Sequence, residues 1–123
     1  MTKFNGVNVS SLFGRFRNTS RFLRALGGTP ERAALLVIDV QERFIVNDPR
    51  FNRIAHKIND FANSFRAASG TVYSIYYANS DSMYGQRPDF KIYTPAPQEK
   101  PIMKTARSAF HQTDLHQRLK TNG

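Results

Sequence analysis

The feature that most constrains this chain is the run Ala33-Ala34-Leu35-Leu36-Val37-Ile38-Asp39-Val40, apolar without alternation until one acid near its end. A strand with one wet face alternates polar and apolar side chains. A strand apolar at every position needs cover on both faces, which is the situation of a strand in a parallel sheet flanked by helices. The next forty residues fit that setting. Gln41 to Val46 reads as a loop. Asp48 then stands where a helix cap belongs, with Pro49 at the first helical position. Phe51, Ile54, Ala55, Ile58, Phe61, Ala62, Phe65 and Ala68 recur at three- and four-residue spacing, so a long amphipathic helix is expected, closed by Gly70. Thr71-Val72-Tyr73-Ser74-Ile75-Tyr76-Tyr77 is β-branched and aromatic, a second strand. Strand, helix and strand together make a right-handed βαβ crossover.

Residues 78–100, with Pro88, Pro95 and Pro97, read as loop. Pro101-Ile102-Met103-Lys104 is a short third strand. A last helix is expected from a cap at Thr113, with Leu115, Leu119 and the stem of Arg118 along one side. The expected fold is α/β: a partial doubly wound (Rossmann-like) parallel sheet of about three strands with flanking helices, preceded by a basic N-terminal helix. A helix running into Asn122-Gly123 normally feeds another strand in such a pattern. Residues 31–123 therefore read as an incomplete domain. One edge of the first strand should be bare, which is a hazard for uncontrolled pairing, and self-association is expected.

Residues 1–30 form a separate basic extension, set off by Gly27-Gly28-Thr29-Pro30. The chain carries 18 basic and 9 acidic residues, a net charge of +9. Lys3, Arg15, Arg17, Arg21 and Arg24 face no acid within this extension, so the high charge reports one arm more than the body. Ser10 to Leu26 can be drawn as an amphipathic helix, with Leu12, Phe13, Phe16, Phe22, Leu23 and Leu26 on one face. Three readings fit it: a helix that docks on the domain or on a partner subunit, an organelle transit peptide, or a surface helix for anionic lipid or RNA. No secretory signal core is present. The location expected is cytoplasmic, or mitochondrial if residues 1–30 are a transit peptide.

Composition removes several functions. With no cysteine there is no disulfide, thiolate metal site or thiol nucleophile within these residues. No run approaches the roughly 20 apolar residues of a membrane span. No glycine lies between Val40 and Gly70, so the first strand does not feed a dinucleotide loop, and no cofactor is expected. His111 and His116 are five apart, off the spacing of helical zinc ligands, so no metal is expected. His56 reads as an ordinary helix residue. Tyr73, Tyr76 and Tyr77 are core rather than base-stacking residues, so no nucleic-acid partner is expected. Ser108 and His111 have the residue types of a nucleophile and base, but a local hydrogen bond explains Ser108 better.

In open parallel sheets, sites gather at the carboxyl ends of strands. Asp39 and Lys104 end the first and third strands, where an acid can accept a proton and a lysine can stabilise developing negative charge. A structural ion pair is the competing reading. Two segments carry a more specific signal. Ala34-Leu35-Leu36-Val37-Ile38-Asp39-Val40-Gln41 with Phe44, and Met103-Lys104-Thr105-Ala106-Arg107-Ser108-Ala109-Phe110 with Thr113, Leu115 and Leu119, resemble the opening strand and the lysine segment of the isochorismatase-like cysteine hydrolases. Gly70-Thr71-Val72-Tyr73 falls where that family's second strand begins, and the order holds over residues 33–123. The resemblance implies an Asp–Lys–Cys triad on a six-stranded sheet, with Asp39 as the aspartate and Lys104 as the lysine. It implies hydrolysis of amide or enol-ether bonds of a small-molecule substrate. The family's cysteine follows one more strand, so a chain like this is expected to be inactive alone unless a C-terminal half completes it. The alternative is a non-catalytic interaction module using the sheet edge and the basic arm. The Asp-x-His metal pattern of nicotinamidase-like members is absent from Tyr77-Ala78-Asn79-Ser80-Asp81-Ser82-Met83.

Overall fold

The computed structural model describes residues 3–4, 7–8, 28, 30–79 and 83–122. The helix expected over Ser10 to Leu26 lies outside the described residues. Near the N-terminus, β1 (Lys3–Phe4) and β2 (Val7–Asn8) pair antiparallel as a two-stranded ribbon.

The apolar run forms β3 (Ala34–Ile38), entered from a 3-10 turn at Pro30–Arg32. It is shorter than the run itself, because Asp39 takes φ +61° and breaks the extended backbone. The segment expected as loop contains a single helical turn, α1 (Glu42–Ile45). Gln41 is extended, and its carbonyl accepts from the N–H groups of Phe44 and Ile45, which closes the turn. The long helix α2 (Pro49–Ala67) starts as expected: the Asp48 side chain accepts from Arg50 N–H and Pro49 fills the first position.

The end of α2 differs from expectation in an informative way. Ser69, not Gly70, takes the left-handed conformation, at φ +69°. Ser69 N–H donates to Arg66 O and Gly70 N–H to Phe65 O, at 3.0 and 2.8 Å, the paired bonds of a Schellman cap. Gly70 is needed for space: a Cβ there would stand 2.2 Å from the Phe65 ring.

β4 (Thr71–Tyr77) comes next, then β5 (Ile102–Lys104) and α3 (Leu115–Thr121). The residue preceding α3 is Asp114, not Thr113, and its side chain makes no capping bond. The Thr113 hydroxyl instead donates to Ala109 O and accepts from Leu115 N–H. The three long-range strands form one parallel sheet ordered β3-β4-β5, with Ala34 opposite Thr71 and Tyr77 opposite Lys104.

Each face of the sheet has its own core. Leu35 and Val37 of β3 and Val72 of β4 point to α2, where they meet Ala55, Ala62 and Phe65. Ala34 and Leu36, one residue out of phase, join Tyr73, Ile75, Ile102, Leu115 and Leu119 on the other face. This explains the unbroken apolar run. Among the described residues β3 pairs with β4 alone, so its other edge is free. No helix among the described residues is long and apolar enough to cross a membrane.

Candidate functional site

Asp39 and Lys104 come together at the carboxyl edge of the sheet. They leave strands on opposite sides of β4, so a long side chain must cross the end of the middle strand. Lysine does so: its Nζ lies 3.0 Å from Asp39 Oδ2 and donates to Arg107 O at 2.9 Å. The Lys104 side chain is 5% exposed and that of Asp39 35%. The acid is held by its own backbone, since Asp39 N–H donates to Ile75 O at 3.0 Å. A left-handed backbone at a non-glycine residue costs of order 1–3 kcal/mol and persists where the surroundings over-determine it, often at functional sites. The second carboxylate oxygen, Asp39 Oδ1, is buried and has no hydrogen-bond partner among the described residues. One oxygen is thus bound to a cation, and the other is closed off from solvent without a donor among the described residues.

A polar clamp holds a loop over the same edge, through Gln41, which the sequence reading includes only as part of a motif, and through Arg43 and Asp89, which it does not single out. Gln41 is fully buried, and its amide behaves like one more strand residue beside β4. Its Oε1 accepts from Tyr77 N–H at 2.7 Å and its Nε2 donates to Tyr77 O at 2.9 Å. The same Nε2 donates to Asp89 Oδ1 at 2.7 Å. Asp89 also accepts from the Arg43 backbone N–H and from Arg43 Nε, while Glu42 N–H donates to Asp89 O. Burial alone would push the Asp89 carboxyl up, but the hydrogen bonds from Arg43 and Gln41 outweigh it and hold the group below the ordinary carboxylate range. The guanidinium groups of Arg43 and Arg87 lie 5.1 and 5.3 Å from the centroid of the Tyr84 ring. Gln41 closes the quoted Asp39 segment, but nothing in that segment gives its side chain a role. Asp89 pairs with Arg43 across 46 residues, and no local periodicity reports such a contact.

Beside Asp39 runs an apolar groove of about 380 Å³, lined among others by Ile38, Phe44, Phe51, Ile54 and Ile58. The other sequence candidates stay apart from this edge. Ser108 is exposed and its Oγ accepts from Phe110 N–H, with no bond to the His111 ring. His116 lines a different cavity of about 390 Å³, near the start of β3 and the end of α3. Among the described residues no three His, Asp or Glu side chains converge as metal ligands would.

A helix-flanked parallel sheet with an acid–lysine pair at its carboxyl edge defines an α/β domain of open-sheet type. The chain belongs to the isochorismatase family: the family model of the Isochorismatase domain matches residues 33–123. Solved structures agree. A putative hydrolase of the isochorismatase family from Chromobacterium violaceum is 29% identical, with a TM-score of 0.62 over 76% of this chain and 53% of its own. An isochorismatase family protein is 23% identical, with a TM-score of 0.61 over 74% of this chain and 58% of its own. An isochorismatase from Pseudomonas putida is 23% identical, with a TM-score of 0.58 over 82% of this chain and 59% of its own, and like the preceding one supports the fold alone. The chain thus spans little more than half the length of these structures. No curated protein sequence matches it significantly.

Proposed function

We propose that this isochorismatase-family domain carries the acid and lysine of a cysteine-hydrolase site, with Asp39 as proton acceptor and Lys104 as charge stabiliser. The bond class is a C–N amide or an enol ether. The carrying observation is the asymmetry of Asp39: Oδ2 is paired with Lys104 and Oδ1 is buried without a donor. A thiol brought against the Asp39 carboxylate would find an acceptor for its proton beside the Lys104 ammonium. The 123 residues contain no cysteine, so the nucleophile in this reading comes from polypeptide outside them. Residues 1–30 stand in this reading as an extension to the hydrolase-like domain.

The test is reconstitution. The chain is co-expressed with the C-terminal segment of the Chromobacterium violaceum hydrolase, the part beyond the region it matches, and the product is assayed on primary amides and enol ethers. Hydrolysis is expected only from the pair. Asp39→Asn should lower it by about a hundredfold or more, in line with the contribution of a positioned general base. Turnover that survives Asp39→Asn would sink the assignment.

A second reading, an interaction module that binds copies of itself, draws on the free edge of β3 and on exposed Phe44, Phe51 and Ile54. Light scattering across a concentration series tests it: a monomer at every concentration excludes that reading.

A further inference from the structure

The contact between Asp39 and Lys104 is not one that strand alternation provides. Leu35 and Val37 face α2, so an extended Asp39, two residues on, would face α2 as well. Ile102 faces the opposite core, and Lys104 shares its parity. The left-handed turn at Asp39, φ +61°, releases the acid from that alternation and lets it meet the lysine.

The turn removes two bonds from β4. Ile38 stands opposite Ile75, and Asp39 N–H donates to Ile75 O. In a parallel ladder continued by two residues, Tyr77 N–H would donate to Asp39 O and Gln41 N–H to Tyr77 O. Turning at Asp39 forfeits both, and the Gln41 backbone forms a bridge with Phe90 instead. The Gln41 side chain restores the same two bonds to the same residue. Its Oε1 accepts from Tyr77 N–H and its Nε2 donates to Tyr77 O, so the carboxamide stands in for a peptide group. On the other side of β4, Tyr77 lies opposite Lys104, and Ala78 N–H donates to Lys104 O. The end of β4 thus links the two strands that carry the acid and the lysine.

We infer that Gln41 is the positioning residue for the acid–lysine pair, and that Asp89 holds its carboxamide in the required orientation. A flipped carboxamide would set its NH₂ against Tyr77 N–H and its oxygen against Tyr77 O. The Asp89 carboxylate, itself bound by Arg43, accepts from Gln41 Nε2 and has no proton to offer an oxygen in its place. The use of the pair in catalysis rests on the hydrolase reading; its placement by Gln41 does not.

The test is NMR spectroscopy of the full chain. In the wild type, the Tyr77 amide and the Gln41 Nε2 protons should exchange about a hundredfold or more slower than in an unfolded peptide. Free exchange of either overturns the inference before any variant is made. In Gln41→Leu, the Tyr77 amide should exchange about tenfold or more faster relative to the Tyr73 amide of the same strand. The Lys104 Nζ protons, bonded in the wild type to Asp39 Oδ2 and Arg107 O, should speed up by about tenfold as the acid moves away. Gly70→Ala, which disturbs the frame at Phe65, should leave the Lys104 signal unchanged. A Lys104 signal that ignores Gln41→Leu, or that responds equally to Gly70→Ala, overturns the inference. Where Gln41→Leu loses its circular dichroism spectrum, Gln41→Glu replaces it: the shape and the acceptor for Tyr77 N–H remain, the donor is lost, and the same change at Lys104 is required. In the co-expressed pair with the Chromobacterium violaceum segment, Gln41→Leu should lower kcat by about a hundredfold with KM held, as misplacing a reacting group does. An active pair with unchanged kcat overturns the positioning role. A wild-type pair that hydrolyses nothing removes the catalytic reading and leaves the placement of Asp39 by Gln41 to stand on the NMR result.

Discussion

Replacing Asp89 by asparagine tests whether the loop over the sheet edge is held by its charge. The Asp89 side chain is fully buried and that of Arg43 is 8% exposed. The carboxylate takes bonds from Gln41 Nε2, Arg43 N–H and Arg43 Nε, and Arg43 Nη2 lies 2.9 Å from its Oδ1. Asparagine has the same shape, but its NH₂ would meet donors on at least one side and leave the guanidinium buried without an anion. Breaking a buried pair in this way costs about 3–5 kcal/mol. Domains of this kind have only about 5–15 kcal/mol in all. In urea, with a slope of about 1–3 kcal/mol per molar, the midpoint should fall by about 1 M or more. The pH dependence gives a second reading. The Asp89 pKa is depressed in the fold, so its stabilisation is full above the unfolded value of about 3.9 and is lost as pH falls through the lower folded value. Wild-type stability should therefore drop more steeply below about pH 4 than that of the Asp89→Asn chain. A loss under about 1 kcal/mol at neutral pH, or parallel acid limbs for the two proteins, would refute the reasoning.

Three further substitutions probe the frame under the site. Gly70→Ala places a methyl group 2.2 Å from the Phe65 ring, which is itself buried, so a loss of about 1–3 kcal/mol is expected in denaturant melts. Ser69→Gly relieves a left-handed serine at φ +69° and should raise stability by about 0.5–1 kcal/mol, the relief being partly offset by the greater entropy of unfolded glycine. Tyr93→Phe removes the hydroxyl bonded to buried Ser74 Oγ and to Arg66 Nη2, and should cost about 1–3 kcal/mol by the same measurement.

What can be read from the sequence depends on the range of the interactions concerned. β4 is legible to the residue, because β-branched and aromatic side chains fill it and a glycine precedes it. The start of α2 is legible because Asp48 and Pro49 act on their own neighbours. Its end lies one position from where the sequence points. Glycine is the usual left-handed residue, but here Gly70 answers to the Phe65 ring five residues back and Ser69 takes the turn. Asp39 and Lys104 can be placed at strand ends from pattern alone, and the family resemblance lends them roles. Their contact across β4 cannot be read, since it depends on strand order. The Gln41–Arg43–Asp89 clamp escapes for the same reason, and α1 with it, because four residues carry too little periodicity to register as a helix.

The geometry bears on how far the acid–lysine pair is ordered in advance of any ligand. A partner that must order the groups it binds loses affinity to that ordering, whereas a preorganised surface avoids the loss. Here the ordering is internal to the chain. Asp39 is fixed by its bond to Ile75 O, and Lys104 is oriented by Arg107 O as well as by the carboxylate. None of these contacts uses the free edge of β3. The acid–lysine pair is therefore ordered by contacts within residues 39–107. The strain of the left-handed Asp39 backbone is likewise met within β3 and β4.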